Sequence, residues 1–185
     1  SDVYKRQIWV TTWNKLYNLS FLREFHIHFL EHVYHEDIVM HAMLALNTRS
    51  FTLTNRTTYL YNCKREDSIT NMEQGYTLKH LNDLTIVFSE IRRLIQADNN
   101  LSKHLQKEIN LYYLFEIYHR YLPAMYSNIK KVDLIKGLAR LSQNCLPPIL
   151  ETRLTFKSIK RFLFLKLPFN IQYLIKSHKY KKSRV

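Results

Sequence analysis

Apolar side chains follow two different rhythms along this chain. Ile8-Trp9-Val10-Thr11-Thr12 is an unbroken β-branched and aromatic run, which predicts a strand. Ser20 is a candidate cap for a short helix over Phe21 to about Phe25. Ile27-His28-Phe29 reads as a short extended piece, followed by a loop over 30–35. From His35-Glu36-Asp37 the pattern turns helical, with Ile38, Met40, Ala42, Met43, Leu44 and Leu46 in the body and Asn47 at the end. The acidic pair suits the first turn, where the helix dipole is positive. Phe51–Thr54 and Thr58–Cys63 predict two strands around a turn at Asn55-Arg56.

After Gly75 the helical period takes over. Leu78, Leu81, Leu84, Ile86, Val87, Ile91, Leu94 and Ile95 predict a helix over 76–97, broken by Asp98-Asn99-Asn100. A second helix is predicted from Leu101 to about Tyr121, stopped by Pro123, and a third over Asp133–Leu141. Pro147-Pro148 sets off the tail, and Pro168 interrupts it. The expected organisation is a short mixed α/β piece over 8–75, a helical extension over 76–150 and a basic amphipathic tail over 151–185. Asp2-Val3-Tyr4-Lys5-Arg6-Gln7 resembles the translation of a sequencing-library adapter, so residues 1–7 are expected to be a non-native scar and are left out of the fold reading.

Charge changes this picture only at the C-terminal end. The formal net charge of the 185 residues is +13. Residues 8–75 hold 6 Lys/Arg against 7 Asp/Glu, whereas 151–185 hold 10 against the single Glu151. In the tail, Phe156, Ile159, Phe162, Leu163 and Phe164 alternate with Lys157, Lys160, Arg161 and Lys166. A basic, aromatic, amphipathic segment suits an anionic membrane surface. A packed helix with a solvated basic end is the plainer reading. No nucleic-acid motif accompanies the charge, so no specific nucleic-acid partner is expected. Only 2 glycines are present, too few for the phosphate loops of a complete Rossmann-like unit. Cys63 and Cys145 form no C-x-x-C pair and read as free thiols of a reducing compartment, hence a cytoplasmic protein. No stretch of about 18 apolar residues and no leader-like segment stands out.

Candidate chemistry sits in the first 70 residues. Trp13-Asn14-Lys15-Leu16-Tyr17, then His35-Glu36-Asp37, then Tyr59-Leu60-Tyr61 with Arg65 and Ser68-Ile69-Thr70 occur in that order. Together they resemble the W-N-K-L-Y, E-D and Y-x-Y-x-x-R-x-x-S-I-T blocks of the inverting family 2 glycosyltransferases. The resemblance covers about the first 40% of the chain.

The resemblance implies the C-terminal, acceptor-side part of a GT-A Rossmann-like domain, without its nucleotide-binding half. It also implies transfer of a sugar from a nucleotide-sugar donor to a carbohydrate acceptor, in surface polysaccharide or lipopolysaccharide assembly. Asp37 is the match to the general base. An acceptor hydroxyl is a poor nucleophile, and a carboxylate must take its proton as it attacks the anomeric carbon. Glu36, Lys15 and Trp13 are expected to line the acceptor side. Arg65 and Ser68 match a segment that covers the donor diphosphate. The family's Mg²⁺ or Mn²⁺ is held by an aspartate-rich motif, and no D-x-D occurs in this chain, so the fragment alone is expected to be inactive. The plain alternatives are a helix-capping Glu36-Asp37, a surface ion pair for Lys15 and a solvated turn around Arg65. His26, His28, His32, His35 and His41 crowd one segment, but their spacing matches no H-E-x-x-H metal motif. The rival function is a non-enzymatic basic helical module that binds membrane or nucleic acid.

Overall fold

A computed structural model describes residues 12–54, 56, 59–60 and 76–182. The chain divides into two compact units, Ser1–Glu73 and Gln74–Val185. Among the described residues every regular element is helical, and there is no strand or sheet. The expected α/β fragment of a GT-A Rossmann-like domain is therefore overturned. Phe51–Thr54 runs without regular structure and is solvent-exposed at all four positions. Among the described residues no strand lies beside it, and β propensity expresses itself only against a partner. Ile27-His28-Phe29 likewise joins no ladder. The predicted strands over 8–12 and 58–63 lie outside the described residues, apart from Thr12, Tyr59 and Leu60.

The first unit contains two described helices, α1 (Leu19–Glu24) and α2 (Glu36–Asn47). The cap of α1 is Asn18, not Ser20. Its Oδ1 accepts from Ser20 N at 2.9 Å and Phe21 N at 3.3 Å, the standard way to satisfy orphan amides of a first turn. Ile27 N closes the helix end by donating to Leu22 O at 2.8 Å. Helix α2 follows its sequence pattern and buries Ile38, Val39, Met40, Ala42 and Met43.

The second unit is a helical bundle. Helix α3 (Leu78–Ala97) is capped by Thr77, whose Oγ1 accepts from His80 N while His80 Nδ1 accepts from Thr77 N. Its face at Leu81, Leu84, Val87, Phe88, Ile91 and Ile95 is buried at the i, i+3, i+4 spacing of one helix side. Helix α4 (Lys103–Met125) is capped by Ser102 and buries Leu111, Leu114, Ile117, Tyr121, Ala124 and Met125. Pro123 does not stop it. A proline near a helix end breaks only the last bonds of the ladder, and Ala124 and Met125 continue the buried face. Helix α5 (Lys131–Asn144) packs chiefly on α3, and α6 (Phe156–Lys166) chiefly on α4. Gly137 of α5 sits against the buried Leu81 side chain.

A 3-10 turn, Ile149–Glu151, joins α5 to α6 and is pinned to α4 by Asn110 Nδ2 donating to Glu151 O at 2.8 Å. Thr155 and Ser158 form a reciprocal capping box at the start of α6. Leu167 and Pro168 separate α6 from α7 (Phe169–Lys182), where the imino ring was expected to interrupt the tail. Among the described residues no helix is long and apolar enough to cross a membrane.

Candidate functional site

The polar cluster of the first unit is assembled around the start of α2. His35 caps this helix in a left-handed conformation, φ 67° and ψ 29°. That turn sets Glu36 and Asp37 into the first helical turn, where the exposed amides and the dipole favour negative charge. Both carboxylate residues are half-buried. Four residues on, His41 lies on the same side of the helix as Asp37.

Lys15 joins Asp37 and His41 electrostatically. Burial pushes the Lys15 ammonium below its ordinary value, and the Asp37 carboxylate opposes that shift. The imidazole of His41 is pushed down from 6.5, first by burial and then by the charge of Lys15. Lys15 Nζ also donates to Asn14 Oδ1 at 2.9 Å. The W-N-K-L-Y segment is thus brought to the acidic start of α2. Tyr17 OH donates to Thr12 O at 3.4 Å, and burial raises its pKa.

An aromatic surface belongs to the same unit. Trp13 and Tyr59 stack with ring centroids 4.7 Å apart and planes 28° from parallel. Both rings stay about half exposed. A stacked pair with an open face offers an apolar platform to a flat ligand. Two of the three sequence blocks therefore touch through rings, and two meet through charges. Arg65 and Ser68 fall outside the described residues.

The i, i+4 spacing of Asp37 and His41 is the signal in the sequence for their shared face. Tyr59 lies in a matched block, but nothing in the pattern pairs it with Trp13. The histidine segment has a backbone peculiarity instead of a ligand set. His26, His32 and His35 all take positive φ, at 49°, 62° and 67°, and His28 Nδ1 donates to His26 O at 2.6 Å. Histidine adopts the left-handed region more readily than most residues. Among the described residues no three His, Cys, Asp or Glu side chains come together as a metal site. Asp37 has an ammonium for a neighbour, so these residues do not fit the Mg²⁺ or Mn²⁺ that the resemblance implies.

No protein-family model, no curated protein and no solved structure matches the chain.

Proposed function

We propose that this chain supplies the acceptor side of an inverting transferase, which moves a sugar from a nucleotide-sugar donor to a carbohydrate hydroxyl. The setting would be surface-polysaccharide or lipopolysaccharide assembly at the cytoplasmic face of a membrane. The observation that carries the reading is the grouping of Asp37 with Lys15 and His41 in one unit with the Trp13–Tyr59 stack. In this reading the Asp37 carboxylate accepts the proton of the acceptor hydroxyl. The acceptor oxygen bonds to the anomeric carbon as the bond to the nucleoside diphosphate breaks. Lys15 sits beside the carboxylate and steadies its negative charge. Trp13 and Tyr59 give the acceptor ring an apolar surface. Charge stabilisation of the leaving diphosphate needs other residues, with Arg65 and Ser68 the candidates from the sequence.

With the chain joined to a nucleotide-binding half, release of nucleoside diphosphate from a panel of nucleotide sugars, with oligosaccharide acceptors present, tests the reaction. Tryptophan fluorescence reads acceptor binding without turnover, with Trp13→Phe as its control. Asp37→Asn is expected to lower the transfer rate by about 10²–10⁴, the usual worth of a general base, while the fluorescence response persists. An unchanged rate would remove Asp37 from the mechanism. Neither turnover nor a fluorescence response to any acceptor would remove the transferase reading.

A second reading, favoured by the concentration of Lys and Arg in 151–185, is a binding module with no transfer chemistry.

A further inference from the structure

Helix α6 has one packed side and one bare side. On the packed side Ser158, Phe164 and Leu165 are buried, Phe164 meets Tyr118 edge to face at 5.6 Å, and Arg161 lies over the Phe115 ring at 3.9 Å. The helix is therefore anchored without its other face. On that other face Phe156, Ile159 and Leu163 follow i, i+3, i+7 spacing, with Phe156 83% and Leu163 58% exposed. Leu150 and Leu154, which lead into the helix, are 80% and 56% exposed. The flanking Lys157, Lys160 and Lys166 are exposed as well. A row of large apolar side chains in water, edged by cations, marks a docking surface.

Three occupants are conceivable, and charge and shape choose between them. A second copy of the same face would bring Lys157, Lys160 and Lys166 against their own counterparts, which like-charge repulsion disfavours. Single-stranded nucleic acid would meet the cations but would want stacking rings, and four of the five exposed apolar groups are aliphatic. An anionic bilayer satisfies both features, since acyl chains accept aliphatic groups and headgroups accept lysines. With 11 residues, α6 is about 16 Å long, roughly half the thickness of a hydrocarbon core. It is suited to lie along the surface.

We propose that the outer face of α6, with Leu150 and Leu154, seats in the headgroup boundary of an anionic membrane. Lys157, Lys160 and Lys166 then contact lipid phosphates. All these residues belong to the second unit, so the assignment stands or falls apart from the transfer reading.

The test is co-sedimentation of the whole chain with phosphatidylcholine vesicles, with and without phosphatidylglycerol. Binding is expected only with the anionic lipid. Phe156→Ser with Leu163→Ser, and separately Lys157→Glu with Lys160→Glu, are each expected to weaken partitioning by about tenfold or more. All four side chains are exposed, and an unchanged thermal melt checks that the variants fold. Partitioning indifferent to both double variants would overturn the assignment to α6. So would binding to single-stranded DNA or RNA that exceeds vesicle binding and survives Phe156→Ser. Concentration-dependent dimerisation abolished by Phe156→Ser, without vesicle binding, would assign the face to a second copy instead.

Discussion

Protonating His41 is harder in the folded chain than in the unfolded one, because the ring is buried and Lys15 already brings positive charge. Its folded pKa lies below the ordinary 6.5, so the unfolded chain takes up this proton first as pH falls. The associated stability is fully present above 6.5 and is lost as pH drops through the folded value. Amide-exchange protection of α2 is expected to fall on acidification from neutral pH, and His41→Gln is expected to flatten that fall. An identical profile in the variant would assign the acid sensitivity to other groups. Gly137 poses a packing question at the same scale. A methyl added there would overlap Leu81 Cδ2 and crowd Leu81 Cγ, in a side chain with no exposed surface. Alanine improves helix propensity by up to about 1 kcal/mol, while overpacking a filled core costs about 1–3 kcal/mol. Gly137→Ala is expected to destabilise by about 1 kcal/mol on denaturant melting, with Leu81→Val relieving part of the loss. A stabilised Gly137→Ala variant would show that Leu81 has room to turn aside.

Between elements, one buried amide ties α7 to its neighbours. Tyr121 OH donates to Gln172 Oε1 at 2.6 Å, and Gln172 Nε2 donates to Phe164 O at 2.9 Å. Gln172 therefore links three helices while remaining only 1% exposed. Burial pushes the Tyr121 hydroxyl up to about 12, so it stays a donor throughout the neutral range. Gln172→Leu keeps most of the volume and strands the buried Tyr121 hydroxyl, while the Phe164 carbonyl still accepts from Leu167 N at 3.2 Å. The stranded hydroxyl costs about 1–3 kcal/mol. Faster amide exchange is expected in α7, while α3 and α5 stay protected. Lys176 gives α7 a second hold, 5.1 Å from the Tyr118 centroid and 5.3 Å from that of Phe164. If exchange in α7 is unaltered by Gln172→Leu, these cation–π contacts carry the attachment.

The whole molecule is two units whose cores are built differently. In Gln74–Val185 the buried faces of α3, α4 and α5 answer one another, and α4 gives α6 its packing surface. A segment with its own core is expected to fold alone. A chain cut to residues 74–185 should keep its helical circular dichroism and unfold in one cooperative transition. A broad, non-cooperative melt would mean that this core depends on the preceding residues. In Ser1–Glu73, Leu16, Phe51 and Leu60 are exposed beside a few buried side chains of α2. Leu53 is likewise 47% exposed.

The helices were the legible part of this sequence. The faces of α2 and α3 repeat within a single turn, and the break at Pro168 follows from its missing N–H; both are local facts. Helix ends were less so, because Asn18 and Ser20 are equally good caps by type and only the chain path chooses one. The strand expected over Phe51–Thr54 failed for the opposite reason. Phe51–Thr54 has the composition of a strand, but a strand exists only where another backbone meets its amides and carbonyls. At the candidate site, the sequence singled out Asp37, Glu36, Lys15 and Trp13 by type and order. That the charge of Asp37 reaches Lys15 and that of Lys15 reaches His41, and that Trp13 stacks on Tyr59, are relations between segments far apart in the chain. Composition also hid the left-handed turns, because His26, His32 and His35 occupy conformations that usually signal themselves by glycine. What repeats within a few residues was readable from the chain alone. What required two distant segments to meet was decided by tertiary packing, since no local preference encodes the partner.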